Sequence, residues 1–343
     1  MKKFKILFIF LVLFISVSAV HADGNFTSLQ TEINNAGDSI EITMDYIYDN
    51  STDFGLKNGI FVNKTDFTIN GNGHTIDGAG QARIFNIQSN VTLLNIKIIN
   101  GFNKEMGGAI FSGFSTLLNC ENVTFVNNSA DTAGAINGHH INLINCEFTK
   151  NHAKAGAGVY GYANITVEDT TFLNSDNYTF SQIYGYGDGK LQVNNCLFLN
   201  LTSRYAPAIY SEKRTGIKNS NFTNLAADIS CGAIALKGCV ESEFENCLFV
   251  NTTALKNGGA LFMDIAAYEV YGNVSVKNSK FINCKGDFGG AVVQLGGNLS
   301  IMGSDFIDNS AIYNGGAIYV SYTNFELINS KIMSNTLLDE AVI

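Results

Sequence analysis

The 343-residue chain has no tryptophan, a single proline (Pro207) and three arginines (Arg83, Arg204, Arg214). Nucleic-acid binding needs clustered Lys and Arg to displace counterions, and three arginines in a chain of net charge −9 do not supply them. The acidic balance favours solubility and names no partner. Charged residues make up only 15% of the chain, whereas there are 34 Gly and 25 Phe, and Asn is abundant. That composition fits a repeat protein of strands and turns better than an α/β enzyme.

Long apolar runs are also missing, except at the start. Lys2, Lys3 and Lys5 precede an apolar run of 15 residues, Ile6 to Val20, and Val20-His21-Ala22 places short side chains at the −3 and −1 positions of a signal-peptidase cut. The run is shorter than the roughly 20 residues that span a bilayer. Residues 1–22 are therefore expected to be a secretory signal, with no transmembrane segment after its removal. Its loss takes three lysines and moves the formal charge from −9 to −12.

Two motifs alternate through the rest of the chain. One is Gly-Gly-Ala-Ile, clearest at Gly107–Ile110, Gly258–Leu261, Gly289–Val292 and Gly315–Ile318, with weaker copies that include a degenerate Ser181-Gln182-Ile183. The other is Asn-(Cys/Ser/Thr)-x-Phe-x-Asn. Its aromatic positions are Phe125, Phe148, Phe172, Phe198, Phe222, Phe249, Phe281 and Phe306, with Ile332 in the last copy; the steps are 23, 24, 26, 24, 27, 32, 25 and 26 residues. A leucine-rich repeat of that length needs a Leu-x-x-Leu-x-Leu frame, which is absent, and ankyrin and tetratricopeptide units are longer and helical. Short alternating strands cut by Asn and Gly turns leave one reading: an all-β, right-handed parallel β-helix with about 25 residues per coil.

Stacking coils about 4.8 Å apart superposes equivalent side chains, which accounts for Phe and Ile columns. Gly-Gly serves turns that need positive φ or close backbone approach. Two Asn ladders are expected at turns, each amide bonding to the coil above: Asn145, Asn195, Asn219, Asn246, Asn278 and Asn329, with Asp169 and Gly303 as departures, and Asn127, Asn174, Asn200, Asn224, Asn251 and Asn283, continued by Asp308. Before the repeats, Phe26, Leu29 and Ile33 share one helical face, Thr27 with Gln30 reads as a capping box, and Gly37 can end the helix. Residues 23–40 are thus expected to cap the apolar stack and 41–343 to form the β-helix.

These paired repeats resemble those of chlamydial polymorphic outer-membrane proteins. With the Asn-rich coils and the segment Ile69 to Gly78, the pattern is even more similar to the adhesin-like surface proteins of methanogenic archaea. The likeness covers roughly residues 25–335. It implies surface exposure and attachment to an extracellular glycan or surface protein, and no catalytic residue. No carboxy-terminal barrel, papain-like domain or wall-binding repeat follows. The chain stops soon after a repeat, as a truncated piece of a longer surface protein also would.

Catalysis on this scaffold would need carboxylates paired across a glycosidic bond, or clustered acids with a basic proton acceptor. Asp176, Asp188, Asp228, Asp264, Asp287 and Asp305 instead fall about one per coil. A polysaccharide lyase or glycoside hydrolase is the alternative function. His139-His140, with His152, is the one candidate metal cluster, but it sits at a turn with no matching Cys or acid spacing, so neither metal nor cofactor is expected. Seven cysteines are present, and Cys146, Cys196 and Cys247 fall in one column two coils apart, too far for disulfides; Cys231 and Cys239 could pair only if the chain doubled back. Asn-x-Ser/Thr sequons, among them Asn25, Asn63, Asn90, Asn122, Asn164, Asn200, Asn221, Asn251 and Asn298, can carry glycans in an exported protein, and Asn ladders beside Thr-rich strands also create them by chance.

Insertions in a solenoid go to surface loops, often on the binding face. The two largest departures from the repeat carry tyrosines. Tyr184, Tyr186, Tyr268 and Tyr271 are accordingly expected on outer loops as ligand-binding residues.

Overall fold

The computed structural model describes residues 24–174, 180–265 and 272–338. It is a parallel β-solenoid of about 12 turns, roughly 26 residues each. Each coil after the first contributes a strand to each of three walls. In one coil these are Ile183–Gly185, Lys190–Asn194 and Leu197–Leu199. The first wall, here called the tyrosine wall, runs over 11 strands from Ile60–Val62 to Ile318–Ser321. The polar wall has 12 strands, from Ser39–Glu41 to Asn324–Ile328, and the phenylalanine wall has 17 because several coils add a second short strand.

In-register pairing makes the sequence repeat into columns. Phe172, Phe198 and Phe222 are partners in neighbouring coils. From Phe125 to Phe306 all eight rings are fully buried, with successive centroids 4.7 to 4.9 Å apart and nearly parallel planes. That spacing is the coil repeat itself. Ile332, the last member, is 51% exposed because no described coil lies over it.

The Asn positions answer first to backbone geometry. Every member of both expected ladders has φ between 47° and 62°, Gly303 included. Asn and Gly tolerate this left-handed conformation best. Where side chains do form ladders, each amide donates to the preceding coil, not the following one: Asn127 to Asn100 at 2.7 Å, Asn251 to Asn224 at 3.0 Å and Asn283 to Asn251 at 2.7 Å. The first ladder is less regular, since Asn219 donates to Asn194 and not to Asn195. A buried ladder was not legible as one: Asn128 and Asn151, and later Asn309 and Asn335, donate Nδ2 to the carbonyls of Ile98, Phe125, Phe281 and Phe306.

The Gly-Gly pair divides its work. Gly107 has φ +64°, whereas a Cβ on Gly108 would lie 2.3 Å from the Ser129 carbonyl oxygen in the next coil. The first glycine turns the chain and the second lets coils touch.

Helix α1 spans Phe26–Asn35 and buries Phe26, Leu29 and Ile33 on the end of the stack. Its cap differs from the expected Thr27/Gln30 box. Asn25 is the N-cap, reciprocated by Ser28, and Asp53 accepts from the Phe26 and Thr27 amides. Gln30 does other work: it donates to the Phe61 carbonyl at 3.0 Å and accepts from the Phe61 amide at 2.7 Å. One side chain thereby occupies the open edge of the first strand in the tyrosine wall. Ala36, with extended backbone, ends the helix one residue before Gly37.

All seven cysteines are buried free thiols. Cys146, Cys196 and Cys247 alternate with hydroxyl residues. Each of their amides donates to the hydroxyl of the next coil, Thr170, Ser220 or Ser279, at 3.1 to 3.2 Å. Cys231 and Cys239 bond to separate carbonyls, of Ile234 and Ser211. Desolvation pushes the thiols up, to about 12 for six of them and well above the usual range for Cys120. Native protein at neutral pH should therefore react with a thiol reagent only as fast as it unfolds. Reducing agent should move the melting temperature by less than about 1 °C, because no loop-closing bond is there to break. Rapid labelling of native thiols, or a large drop on reduction, would contradict this column assignment.

Candidate ligand-binding face

The outer face of the tyrosine wall differs from the rest of the surface. Strand alternation sends Ile183 and Gly185 inward and Tyr184 outward. Register then aligns Asn137, Tyr160, Tyr184 and Tyr210 in one outward column. Two residues further along each strand, at the corner leading to the polar wall, His139, Tyr162, Tyr186 and Glu212 follow one another. Backbone bonds from Tyr162 to Gly138, Tyr186 to Gly161 and Glu212 to Gly185 hold that corner in register. Five tyrosines thus gather over three successive coils, with Asn137 and His139 at one end and Glu212 at the other.

The two columns offer different surfaces. The Tyr160, Tyr184 and Tyr210 rings stack at 4.8 Å with interplanar angles of 7° and 23°. Their faces meet each other, which leaves ring edges to a ligand. In the corner column Tyr162 lies at 55° to Tyr160 and 86° to Tyr186, and Tyr186 is 46% exposed. Tyr186 is the more open ring of the two, Tyr162 being half-buried. Burial, with repulsion from Tyr162, Tyr184, Tyr186 and Glu212, raises the Tyr160 phenol above its ordinary value.

A buried cation fixes this corner. Lys213 is 2% exposed, and its Nζ donates to the carbonyls of Tyr162 (2.9 Å), Gly187 (3.3 Å) and Asp188 (2.5 Å). Desolvation lowers it to about 8, against favourable contributions from Asp188 and Glu212. Arg83 does the same at the opposite side of the wall, donating to Gly107, Asn58 and Met106. A lone Lys or Arg beside a turn carries no sequence signal for such a role, because the acceptors come from other coils.

Tyr184 is therefore not on a loop, as the repeat lengths suggested. It belongs to a regular strand, because the coil's extra residues fall elsewhere, partly in the Tyr186–Gly189 corner. Tyr186 does sit at a corner. Tyr268 and Tyr271, and with them Asp176, lie outside the described residues.

His139 and His140 are adjacent rings at 4.7 Å, and Phe114 packs on His139 at 4.4 Å. Burial lowers His139 below its ordinary value, with His140 and Lys213 adding repulsion. His152 follows the phenylalanine wall and so belongs to a different corner of the coil. No group of three His, Cys, Asp or Glu that could hold a metal occurs among the described residues. The acids are dispersed. Asp188 is at the Lys213 corner, Asp264 ends a tyrosine-wall strand, and Asp287 and Asp305 lie in phenylalanine-wall strands, Asp305 reaching Lys280 at 3.9 Å. On the polar wall Glu243 is held below the usual carboxylate range by hydrogen bonds from Lys277 and Lys218.

No family model matches the chain, and no curated protein matches it by sequence. A solved structure described as L. reuteri 53608 SRRP aligns over 90% of this chain and 98% of its own, at 14% identity and a TM-score of 0.35. A likeness that loose brings no function with it. The resemblance to chlamydial and methanogen repeats rests on the sequence motifs alone. No described helix is long and apolar enough to cross a membrane.

Proposed function

We propose that the chain is exported and serves as a non-catalytic, adhesin-like surface rod that attaches to glycans or proteins through the outer face of its tyrosine wall. The observation that carries this reading is the gathering of five tyrosines on one outer face, two of them at a tilted, partly open corner. Tyrosine supplies large amphipathic contact area at small entropic cost, which suits it to recognition. Many copies of a rod on one surface would add avidity to weak single contacts. The basic, apolar amino terminus supports export. The dispersal of acids over separate walls and coils supports binding over bond cleavage.

Glycosylation at the sequons belongs to the same proposal, and the ladders restrict it. The Nδ2 atoms of Asn122, Asn251 and Asn298 already donate to Asn95, Asn224 and Asn273, so a glycan there would cost a ladder bond.

The test is to express the whole precursor in a secreting host, sequence the amino terminus of the exported protein, and measure its adherence to cells, arrayed glycans and extracellular proteins. A start near Asp23 and saturable adherence are expected. Retention of Met1 to Ala22, or a folded exported chain that adheres to none of these, would contradict the reading. Release of reducing ends or unsaturated sugars from polysaccharides would overturn its non-catalytic part.

A further inference from the structure

The tyrosine corner ends on two polar atoms without partners. Asn137 is 1% exposed, and its Nδ2 makes no hydrogen bond; the Nδ1 of His139, two residues on along the same face, makes none either. Leaving buried polar groups unmade costs about 1–3 kcal/mol each. Such groups call for an explanation, a bound ligand being one. Asn137 is the strand partner of Tyr160, and His139 precedes Tyr162 by one coil at the corner. The cover over His139 is Phe114, a turn residue that is 85% exposed, and its ring can swing away at little cost in buried surface.

Charge narrows the class of ligand. Lys213, the cation at this corner, is turned inward and committed to three carbonyls, while Glu212 and Asp188 place negative charge beside the rings. Lys190 and Arg214 begin the adjoining polar-wall strands, Arg214 paired with Glu241 at 3.5 Å, so the carboxylates beside the rings weigh against an anionic glycan. An uncharged sugar has what the face lacks: an apolar C–H face for tilted rings, and hydroxyls that both donate and accept. Burial favours the neutral imidazole at His139, a form with one donor and one acceptor nitrogen.

We infer that this corner is a subsite for a neutral oligosaccharide, with Tyr186 stacking on a pyranose face, Tyr162 meeting the sugar at a steep angle to that ring, and His139 Nδ1, once Phe114 swings aside, bonding a hydroxyl. The four coils from Asn137 to Glu212 span about 14 Å, three steps of about 4.8 Å, which is room for a short oligosaccharide. The inference rests on the adhesin reading and makes it specific to one corner and one chemistry.

The test uses the whole exported chain on an array of neutral and uronic-acid-containing oligosaccharides, beside the variants Tyr186→Ser and His139→Ala. A third variant, Thr166→Ser on the polar wall, controls for handling. Saturable binding to neutral members is expected. It should fall at least about tenfold in each corner variant, a loss of roughly 1.4 kcal/mol, with melting curves and Thr166→Ser binding unchanged. Because Tyr186 is half-exposed at a turn, its variant keeps the test valid should His139→Ala fail to fold. Preference for uronic-acid members, or full binding by folded Tyr186→Ser, would overturn the subsite while leaving the adhesin reading standing. Absence of glycan binding would also overturn it, and adherence of the same preparation to cells or proteins would show whether the broader reading survives.

Discussion

Replacing Phe198 with alanine is expected to cost about 3–5 kcal/mol of stability, at the upper end for aromatic truncation. The ring is fully buried between Phe172 at 4.8 Å and Phe222 at 4.9 Å, in planes within 8° of its own. Truncation removes both contacts at once. The vacated space cannot close, because neighbouring coils are held at fixed spacing by backbone pairing in all three walls. In a solenoid each coil is stabilised chiefly by its neighbours, so the loss falls on two interfaces. By contrast Ile332→Ala, at the exposed end of the same column, should cost less than about 1 kcal/mol. Urea unfolding followed by circular dichroism checks both. A Phe198 variant within about 1 kcal/mol of wild type would mean that the column can relax.

Lys213→Met should be nearly as damaging at neutral pH, at about 2–4 kcal/mol, because it leaves the Tyr162, Gly187 and Asp188 carbonyls without their shared donor. Its pH dependence is diagnostic. Burial lowers the lysine from 10.5 to about 8, so between those values the unfolded chain holds a proton that the folded chain does not. Stability from this group therefore rises with pH across that window; below about pH 8 both states are charged and the desolvation cost is fully present. The buried thiols, whose values are raised, act in the opposite sense as pH rises, so the informative quantity is the difference between wild type and Lys213→Met. It should widen by on the order of 3 kcal/mol from pH 7 to 10.5. A difference that is flat with pH would mean that Lys213 is solvated and does not hold the corner.

How far the chain could be read in advance follows from where each signal resides. The stack was legible because Phe125 through Phe306 recur at nearly constant steps, and only a coil of three short strands makes one ring fall on the next. The helix was legible from Phe26, Leu29 and Ile33, but its cap was not. Ser28 is a weaker box partner than Gln30, and the carboxylate of Asp53 that takes two of the helix amides is 27 residues from Phe26. The left-handed turns hid inside the apparent ladders, since Asn satisfies both demands. Tyr184 and Tyr186 were singled out as an insertion, and their importance to the surface came instead from Tyr160, Tyr162 and Tyr210, which only register brings beside them. Asn137 and Lys213 gave no signal at all, and His139 drew notice only as half of a His pair weighed for metal binding. Their roles depend on groups contributed by other coils or on partners they lack.

The central claim is that this rod meets its ligand through the tyrosine wall, and it reduces to one comparison. Tyr184→Arg places a bulky charge in the middle of the stacked column, outward and away from the core. Thr166→Arg places the same side chain on the exposed face of the polar wall. Adherence of the two folded, exported variants to the surface that wild type binds should differ by at least about tenfold, with Tyr184→Arg losing and Thr166→Arg keeping wild-type binding. Equal binding by both, or loss confined to Thr166→Arg, would place the contact on another wall and contradict the account.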